Sequence, residues 1–246
     1  MAQMLVWQMI NETLPSLLKA IQKKYVVEFD LLAIDGQNFE VLTIQNMKQL
    51  LSAMVAKNAI HNPLKDLPLW SKIWPGSFVL GRFLRKFSCQ DKALLELGGG
   101  CGIVSLAASK YGFASIVCTD INEDALLFAK ANVLKNNLQH LVEVKFLDVH
   151  APTPTHADLP KFDCIAASEL LYLEELHRPL IRFLELHLKA DGVALFCTDR
   201  ARHKPHFAKL AKKTFSLQEG HIGIKSTDDA GKEERRIFDI YVVRHK

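Results

Sequence analysis

Short apolar or β-rich runs recur through the second half of the chain, and stretches with helical periodicity separate them. The runs lie at 93–97, 115–119, 142–147, 164–167 and 193–198, and the helical stretches lie near 103–111, 123–136 and 174–188. Alternation of this kind predicts a parallel sheet with helices on both faces. The last two runs, 216–224 and 236–244, have only the polar segment 226–234 between them, which predicts an antiparallel hairpin at the sheet edge.

The first 70 or so residues follow a different pattern. An amphipathic stretch at 4–23 predicts a helix, and strand-like runs at 26–34 and 39–44 are joined by Asp35-Gly36-Gln37-Asn38, a hairpin signal. A second helix is expected at 47–56, before the irregular segments around Pro63 and Pro68. We therefore expect an N-terminal accessory extension over residues 1–66 and one larger domain over residues 67–246.

A glycine-lined turn follows the first strand of that domain, in Leu-Leu-Glu-Leu-Gly-Gly-Gly-Cys-Gly at 94–102. A dinucleotide fingerprint would need a third glycine where Ile103 stands. The chain instead has Glu96 two residues before the glycines, and this acid suits the cationic amine of a methionine group better than a pyrophosphate. The absence of side chains at Gly98, Gly99 and Gly100 lets the backbone approach a ligand. The loop predicts S-adenosylmethionine as the cofactor, and a tight turn that binds nothing is the alternative.

Two further acids close the next apolar runs. Asp120 lies 22 residues after Gly98, and a carboxylate at a strand end can accept both hydroxyls of a ribose. Its alternative role is to cap the helix that begins near Asn122. Asp148 could accept a hydrogen bond from the adenine amino group, or serve as a cap or loop residue.

The chemistry is expected in Ser168-Glu169-Leu170-Leu171-Tyr172, which follows the fourth run. Methyl transfer from a sulfonium is an in-line displacement, so the protein mainly aligns a neutral nucleophile and removes its proton. A lysine amine has a solution pKa of about 10.4, so the site must favour its neutral form, for instance by burial. Glu169 could hold the incoming ammonium, and Tyr172 could pack along the lysine stem or offer its hydroxyl. Alternatively, Glu169 caps the next helix and Tyr172 is an aromatic residue at the rim.

These segments, together with Trp70-Ser-Lys-Ile-Trp74-Pro75-Gly76 and Asp199-Arg200, resemble the seven-strand lysine methyltransferase family over about residues 67–243. That family has a tryptophan-proline entry segment and a D/E-x-x-Y motif after the fourth strand. The resemblance implies a Rossmann-like class I methyltransferase fold with a seven-stranded, mostly parallel sheet. It also implies protein-lysine N-methylation, with S-adenosylhomocysteine as the product.

Carried over by position, the resemblance places Glu169 and Tyr172 at the acceptor channel. The residues that it implies for cofactor binding are Trp74, Glu96, Gly98, Gly99, Gly100, Asp120, Ile121, Asp148, Val149 and Ser168. Many relatives have Asp where Glu169 stands, which leaves the substrate geometry open, and a small residue where Cys101 stands. Trp74 could instead be a buried aromatic residue between the extension and the domain.

Composition excludes several other classes. The 246 residues contain no apolar stretch of the ~20 residues that span a bilayer. The N-terminus lacks the basic start of a signal peptide, so we expect a cytoplasmic protein. Five cysteines without a C-x-x-C pair predict reduced core thiols rather than disulfides or a zinc site, and the ten histidines show no metal-ligand spacing.

A net charge of +4 is too small to imply polyanion binding. Residues 200–213 nevertheless contain six Lys or Arg residues and no acid. The helical spacing of Phe207, Leu210, Ala211 and Phe215 puts Lys209, Lys212 and Lys213 on the outer face. This face is expected to be solvated, or to dock an acidic protein or RNA.

Three other functions stay open at this point. An enzyme that methylates RNA bases would use the basic segment as a phosphate contact. Enzymes that methylate base amines commonly have proline in the segment after the fourth strand, but no proline stands between Ser168 and Tyr172 here. Small-molecule methyltransferases use the same scaffold. A non-catalytic, cofactor-binding docking module would bind the cofactor without producing a methylated product.

Overall fold

The computed structural model describes residues 13–58, 60–61, 67–151, 159–202, 205–227 and 233–246. The helices in these ranges are α1 (Leu14–Ile21), α2 (Met47–Ala56), α3 (Pro75–Phe83), α4 (Ile103–Ala108), α5 (Glu123–Lys135), α6 (His177–His187) and α7 (His206–Thr214). The strands are β1 (Val27–Ile34), β2 (Gln37–Ile44), β3 (Ala93–Leu97), β4 (Ser115–Asp120), β5 (Val142–Phe146), β6 (Phe162–Ser168), β7 (Leu188–Asp199), β8 (Phe215–Thr227) and β9 (Glu233–His245).

Seven strands form one sheet in the order β5-β4-β3-β6-β7-β9-β8. Strands β3 to β7 pair in parallel, and β9 lies antiparallel to both β7 and β8. The predicted α/β fold with a C-terminal antiparallel hairpin is thereby confirmed. The chain runs outward from β3 to β5 and then returns to place β6 on the other side of β3, so a crevice opens at the carboxyl ends of β3 and β6.

The inner parallel strands are largely apolar on both faces because helices cover both sides of the sheet, whereas the edge strand β5 alternates apolar and exposed charged residues. Leu94 of β3 packs into a core with Leu80 of α3 and Val104 of α4. Its neighbour Leu95 packs on the opposite face, in a core with Phe183 of α6 and Phe207 of α7. Burial on both faces explains why these strands read as continuous apolar runs in the sequence.

The extension packs on the outer side of α4 and α5. Strands β1 and β2 form the predicted hairpin, and its two turn residues, Asp35 and Gly36, have φ values of 48° and 80°, as a two-residue turn of the hairpin type requires. Buried Asn132 of α5 joins the hairpin to the domain, since its Oδ1 accepts from Leu42 N at 2.7 Å and its Nδ2 donates to Cys101 O at 2.9 Å. The division at residues 66 and 67 itself remains a prediction.

Most predicted elements are present, with shifted ends. Helix α2 has the predicted bounds, and α1 accounts for the described part of the helix expected at 4–23; residues 1–12 lie outside the described residues. The helix expected near 103–111 ends at Ala108, and the one expected at 174–188 begins with the 3₁₀ turn Glu174–Leu176. No described helix is both long enough and apolar enough to cross a membrane.

Helix α3 is the element that the sequence pattern did not predict. Its nine residues include Gly76 and Gly81, which have low helix propensity, and these glycines weaken the helical signal. Both glycines lie where another segment packs closely against the helix. A Cβ on Gly81 would lie 2.7 Å from Ala107 Cβ of α4, and one on Gly76 would lie 2.6 Å from Glu169 Oε1. Pro75 begins the helix at a position where its missing N–H costs nothing.

Candidate active site

The turn after β3 requires glycine at several positions. Gly98, Gly100 and Gly102 have φ values of 63°, 55° and 79°, which other residues rarely adopt. A Cβ on Gly100 would also lie 2.6 Å from the Trp70 carbonyl oxygen, so the segment before α3 lies directly against the loop. Gly99 N donates to Thr119 O at 2.8 Å, which fixes the loop to the end of β4. The glycine loop is therefore held in one conformation by both neighbouring segments.

Glu96 lies beneath this loop and is only 2% exposed. Its Oε2 accepts from Ser105 N at 2.9 Å and also from the Ser105 hydroxyl. Burial raises the pKa of Glu96 to about 7, against the lowering effect of these hydrogen bonds. The carboxylate points at the first turn of α4, so its visible role is to brace the loop, and the contact with a methionine amine stays a prediction.

Asp120 ends β4 at the front of the loop. Its Oδ2 accepts from Gly100 N and its Oδ1 from Asn122 N, both at 2.8 Å. Each carboxylate oxygen can accept a further bond, and burial raises the pKa of Asp120 while the backbone N–H groups lower it. The cap of α5 is Asn122, whose Oδ1 accepts from Ala125 N at 3.0 Å, so the capping role does not fall to Asp120.

Apolar surface lies beside Asp120. Ile121 is 57% exposed, which is unusual for a large aliphatic side chain next to buried residues. Asp148, after β5, accepts from His150 N at 2.8 Å and so forms a local turn, and Val149 packs against the core on the α6 face. The structure thus brings Ile121, Asp148 and Val149 to the same edge of the sheet as Asp120, and their contacts with a ligand stay predictions.

Ser168 and Glu169 follow β6 at the same edge. Glu169 has φ 55°, and its N–H donates to Cys197 O of β7 at 2.8 Å. Ser168 Oγ and Glu169 Oε1 are buried and have no hydrogen-bond partner among the described residues. A Cβ on Gly76 would lie 2.6 Å from Glu169 Oε1 and 3.0 Å from Ser168 Oγ, so glycine there allows the start of α3 to close over both groups.

Arg202 is the charged partner of Glu169, and the sequence analysis did not identify it. Its Nη2 lies 2.8 Å from Glu169 Oε2, and its Cζ lies 4.7 Å from the centre of the Trp74 ring. Burial raises the pKa of Glu169, and the positive charge of Arg202 opposes this. The sequence feature that could have identified Arg202 is its position. It follows the end of β7, which lies next to β6 in the sheet.

Trp74 and Tyr172 complete the rim. The Trp74 indole N–H donates to Leu69 O at 3.0 Å, which fixes the ring between the loop segment and Arg202. Burial raises the pKa of Tyr172; the charge of Arg202 lowers it, and those of Glu169 and Asp120 raise it. Glu169 does not cap the following turn, because Leu173 occupies that position.

The sheet has the strand order expected of a class I S-adenosylmethionine-dependent methyltransferase, with a glycine loop after β3 and an acid at the end of β4. Solved structures agree on the fold. A TehB-like SAM-dependent methyltransferase from Corynebacterium glutamicum aligns with a TM-score of 0.53 and 17% identity, covering 81% of this chain and 98% of that one. A precorrin-6y C5,15-methyltransferase from Geobacter metallireducens aligns with a TM-score of 0.52 and 18% identity, covering 69% and 87%.

Sequence comparison identifies the family. A family model described as lysine methyltransferase matches residues 59–214. The protein N-lysine methyltransferase METTL21A of Danio rerio is 32% identical over 163 residues, which are 64% of this chain and 73% of that protein. The electron transfer flavoprotein beta subunit lysine methyltransferase of Mus musculus is 28% identical over 148 residues, 59% of this chain and 54% of that protein. The chain belongs to the lysine methyltransferase family, and its interpretation as a SAM-dependent protein-lysine methyltransferase is confirmed at that level.

Proposed function

We propose that the protein transfers the methyl group of S-adenosylmethionine to the side-chain amine of a lysine in a protein substrate. The proposal depends on one observation above all. In a chain of the lysine methyltransferase family, the Glu169–Tyr172 segment follows β6 at the carboxyl edge of the sheet and contacts the glycine loop, since a Cβ on Gly98 would lie 3.1 Å from Leu170 Cδ1. This contact supports a donor site and an acidic, aromatic acceptor site that are adjacent.

The residues of the donor pocket suit a nucleoside with a methionine tail. Asp120 has unused acceptor capacity for ribose hydroxyls. Exposed Ile121 offers an apolar surface for a purine face, and Asp148, which follows the neighbouring strand β5, would accept from its amino group. The glycine loop admits the backbone of the ligand, and the unpartnered Ser168 Oγ supplies a hydroxyl near the tail. When bound, the cofactor supplies an electrophilic methyl group on a positively charged sulfur.

In the proposed reaction the lysine Nζ would lose a proton to solvent and would then accept the methyl group that bound S-adenosylmethionine supplies, with S-adenosylhomocysteine as the other product. Glu169 and Tyr172 orient the amine. Exclusion of water by Trp74 and the start of α3 favours the neutral amine, because burial lowers the pKa of a lysine.

The test is a labelling experiment. Purified protein, tritiated S-adenosylmethionine and lysate are expected to give a labelled protein band, and acid hydrolysis of that band should release methyl-lysine. Label in RNA or in small molecules, or methyl-arginine, methyl-histidine or methyl-glutamine in the hydrolysate, would refute the proposed acceptor.

A matched pair of variants locates the site. Glu169→Gln should bind the cofactor about as well as the wild type and lose most turnover, whereas Glu185→Gln, on the exposed side of α6, should behave like the wild type. Full activity of Glu169→Gln would remove Glu169 from the mechanism.

We further propose the cytoplasm as the location of the protein. All five cysteines are free, buried thiols. Reduced thiols are typical of a reducing compartment. Microscopy of the tagged protein tests this location.

A further inference from the structure

The carboxylate proposed to receive the acceptor lysine already has a cation from its own chain. The Glu169 side chain is 6% exposed and that of Arg202 is 32% exposed, while the Arg202 Nε and Nη2 atoms themselves are buried. Trp74 offers its ring face on another side, 4.7 Å from Arg202 Cζ. A carboxylate and an aromatic face together form a site for an organic cation.

The contact is suited to exchange. The Nη2 to Oε2 distance of 2.8 Å is that of an ion pair, and the buried Arg202 Nε has no hydrogen-bond partner among the described residues. Asp199 does not hold Arg202 either. Its Oδ2 is 4.0 Å away and is paired with Arg236, and its Oδ1 accepts from Ala201 N at 3.0 Å. Arg202 is thus held by charge and by stacking on Trp74.

Removal of Arg202 without replacement would leave a buried carboxylate with no counter-charge, which is strongly unfavourable. Either another cation or a proton taken up by the carboxyl group itself would remove this cost, and an incoming lysine supplies the first. A lysine ammonium carries the same charge on a stem of similar length. The guanidinium itself stays protonated at any working pH, so it cannot act as the nucleophile.

We infer that Arg202 is an internal occupant of the acceptor site, and that the substrate lysine binds by displacing it from between Trp74 and Glu169. This inference rests on the proposed function. It adds a specificity-determining residue to the site, since an acceptor must be cationic to replace Arg202. Neutral acceptors such as glutamine or a hydroxyl group cannot make this exchange.

The decisive experiment converts the occupant into an acceptor. In R202K, the amine nitrogen is as many bonds from the backbone as Arg202 Cζ is, so it falls where the acceptor nitrogen should bind. With tritiated S-adenosylmethionine and no substrate, R202K should methylate itself at position 202. The control is R200K. Arg200 lies on the same 3₁₀ turn as Arg202, Arg200–Arg202, but its Nε donates to Asp239 at 2.9 Å. Peptide mass spectrometry should show at least about tenfold more methylation at position 202 of R202K than at position 200 of R200K, because a preplaced amine reacts at high effective concentration.

A second variant keeps the result interpretable. R202A removes the competitor, so the KM for a labelled protein substrate should fall by about fivefold or more with kcat largely retained, because the buried carboxylate then has no cation of its own chain beside it. A raised KM and reduced kcat, both restored by R202K, would identify a structural brace and overturn the inference.

The inference and the proposed function fail in different ways. If R202K still labels proteins in lysate but carries no methyl group at position 202, the inference is wrong and the proposed function stands. If the wild type labels no protein, the proposed function is wrong, and the inference that rests on it is wrong as well.

Discussion

Glu96 gives a prediction whose magnitude follows from its surroundings. The carboxyl group is fully buried beneath the glycine loop, and burial raises its pKa from 4.5 to about 7. Between these values the folded protein holds a proton that the unfolded chain has released. Stability from this group is therefore fully present below pH 4.5 and is lost as the pH rises through 7. The whole change corresponds to about 3 kcal/mol.

The perturbation is Glu96→Gln, which keeps an oxygen that can accept from Ser105 and removes the titration. Urea unfolding of the cofactor-free protein between pH 5 and pH 8 measures the effect. The free energy of unfolding of the wild type should fall by about 2 to 3 kcal/mol more than that of the variant over this range. Glu185→Gln, on the exposed side of α6, controls for a change of net charge. Equal pH dependence in the wild type and Glu96→Gln would show that Glu96 is ionised throughout and would refute the burial argument.

Three further variants test the loop, the ribose site and the extension. Gly100→Ala places a Cβ against the Trp70 carbonyl at a positive φ and should weaken cofactor binding, measured by calorimetry, by about tenfold or more. Gly36→Ala is also at a positive φ but in open space, so it should cost only about 1 kcal/mol of stability. Asp120→Ala should raise the cofactor Kd by about tenfold, since a charged acceptor is lost, and an unchanged Kd would remove the ribose assignment. Asn132→Ala leaves Leu42 N and Cys101 O without their partner, so urea unfolding should show a loss of about 2 to 3 kcal/mol; a loss no larger than that of the more exposed Asn136→Ala would contradict this account.

The sequence pattern predicted the sheet because the burial of each strand determines which residue types that strand itself contains. Leu94 and Leu95 face opposite cores, so β3 had to be apolar at these successive positions, and the inner strands β4, β6 and β7 are likewise buried on both faces. The Asp35-Gly36 turn fixed the first hairpin for a similarly local reason. Helix α3 was missed because Gly76 and Gly81 are selected by contacts with Glu169 and Ala107. A helical pattern cannot reveal such contacts between distant segments.

The candidate site divides in the same way. Glycines and strand-end acids could be recognised from spacing, since the carboxyl ends of parallel strands meet at one edge. Spacing could not predict the direction in which each side chain points. Glu96 points at Ser105, and Glu169 pairs with Arg202, 33 residues away in the chain. These pairings depend on how α4 and the turn after β7 pack, which is a property of the tertiary structure.

The three buried acids of the site balance their charge in three different ways, and this difference assigns their roles. Glu96 gains a proton near neutral pH and Asp120 receives only backbone N–H groups, whereas Glu169 has a full cation beside it. An acid that is held by dipoles alone keeps its negative charge available, which suits a hydroxyl-donating ligand of net positive charge. An acid that is paired with a partly exposed cation can change partners but cannot stand alone. We therefore expect Asp120 to serve donor recognition, and Glu169 together with Arg202 to serve acceptor selection.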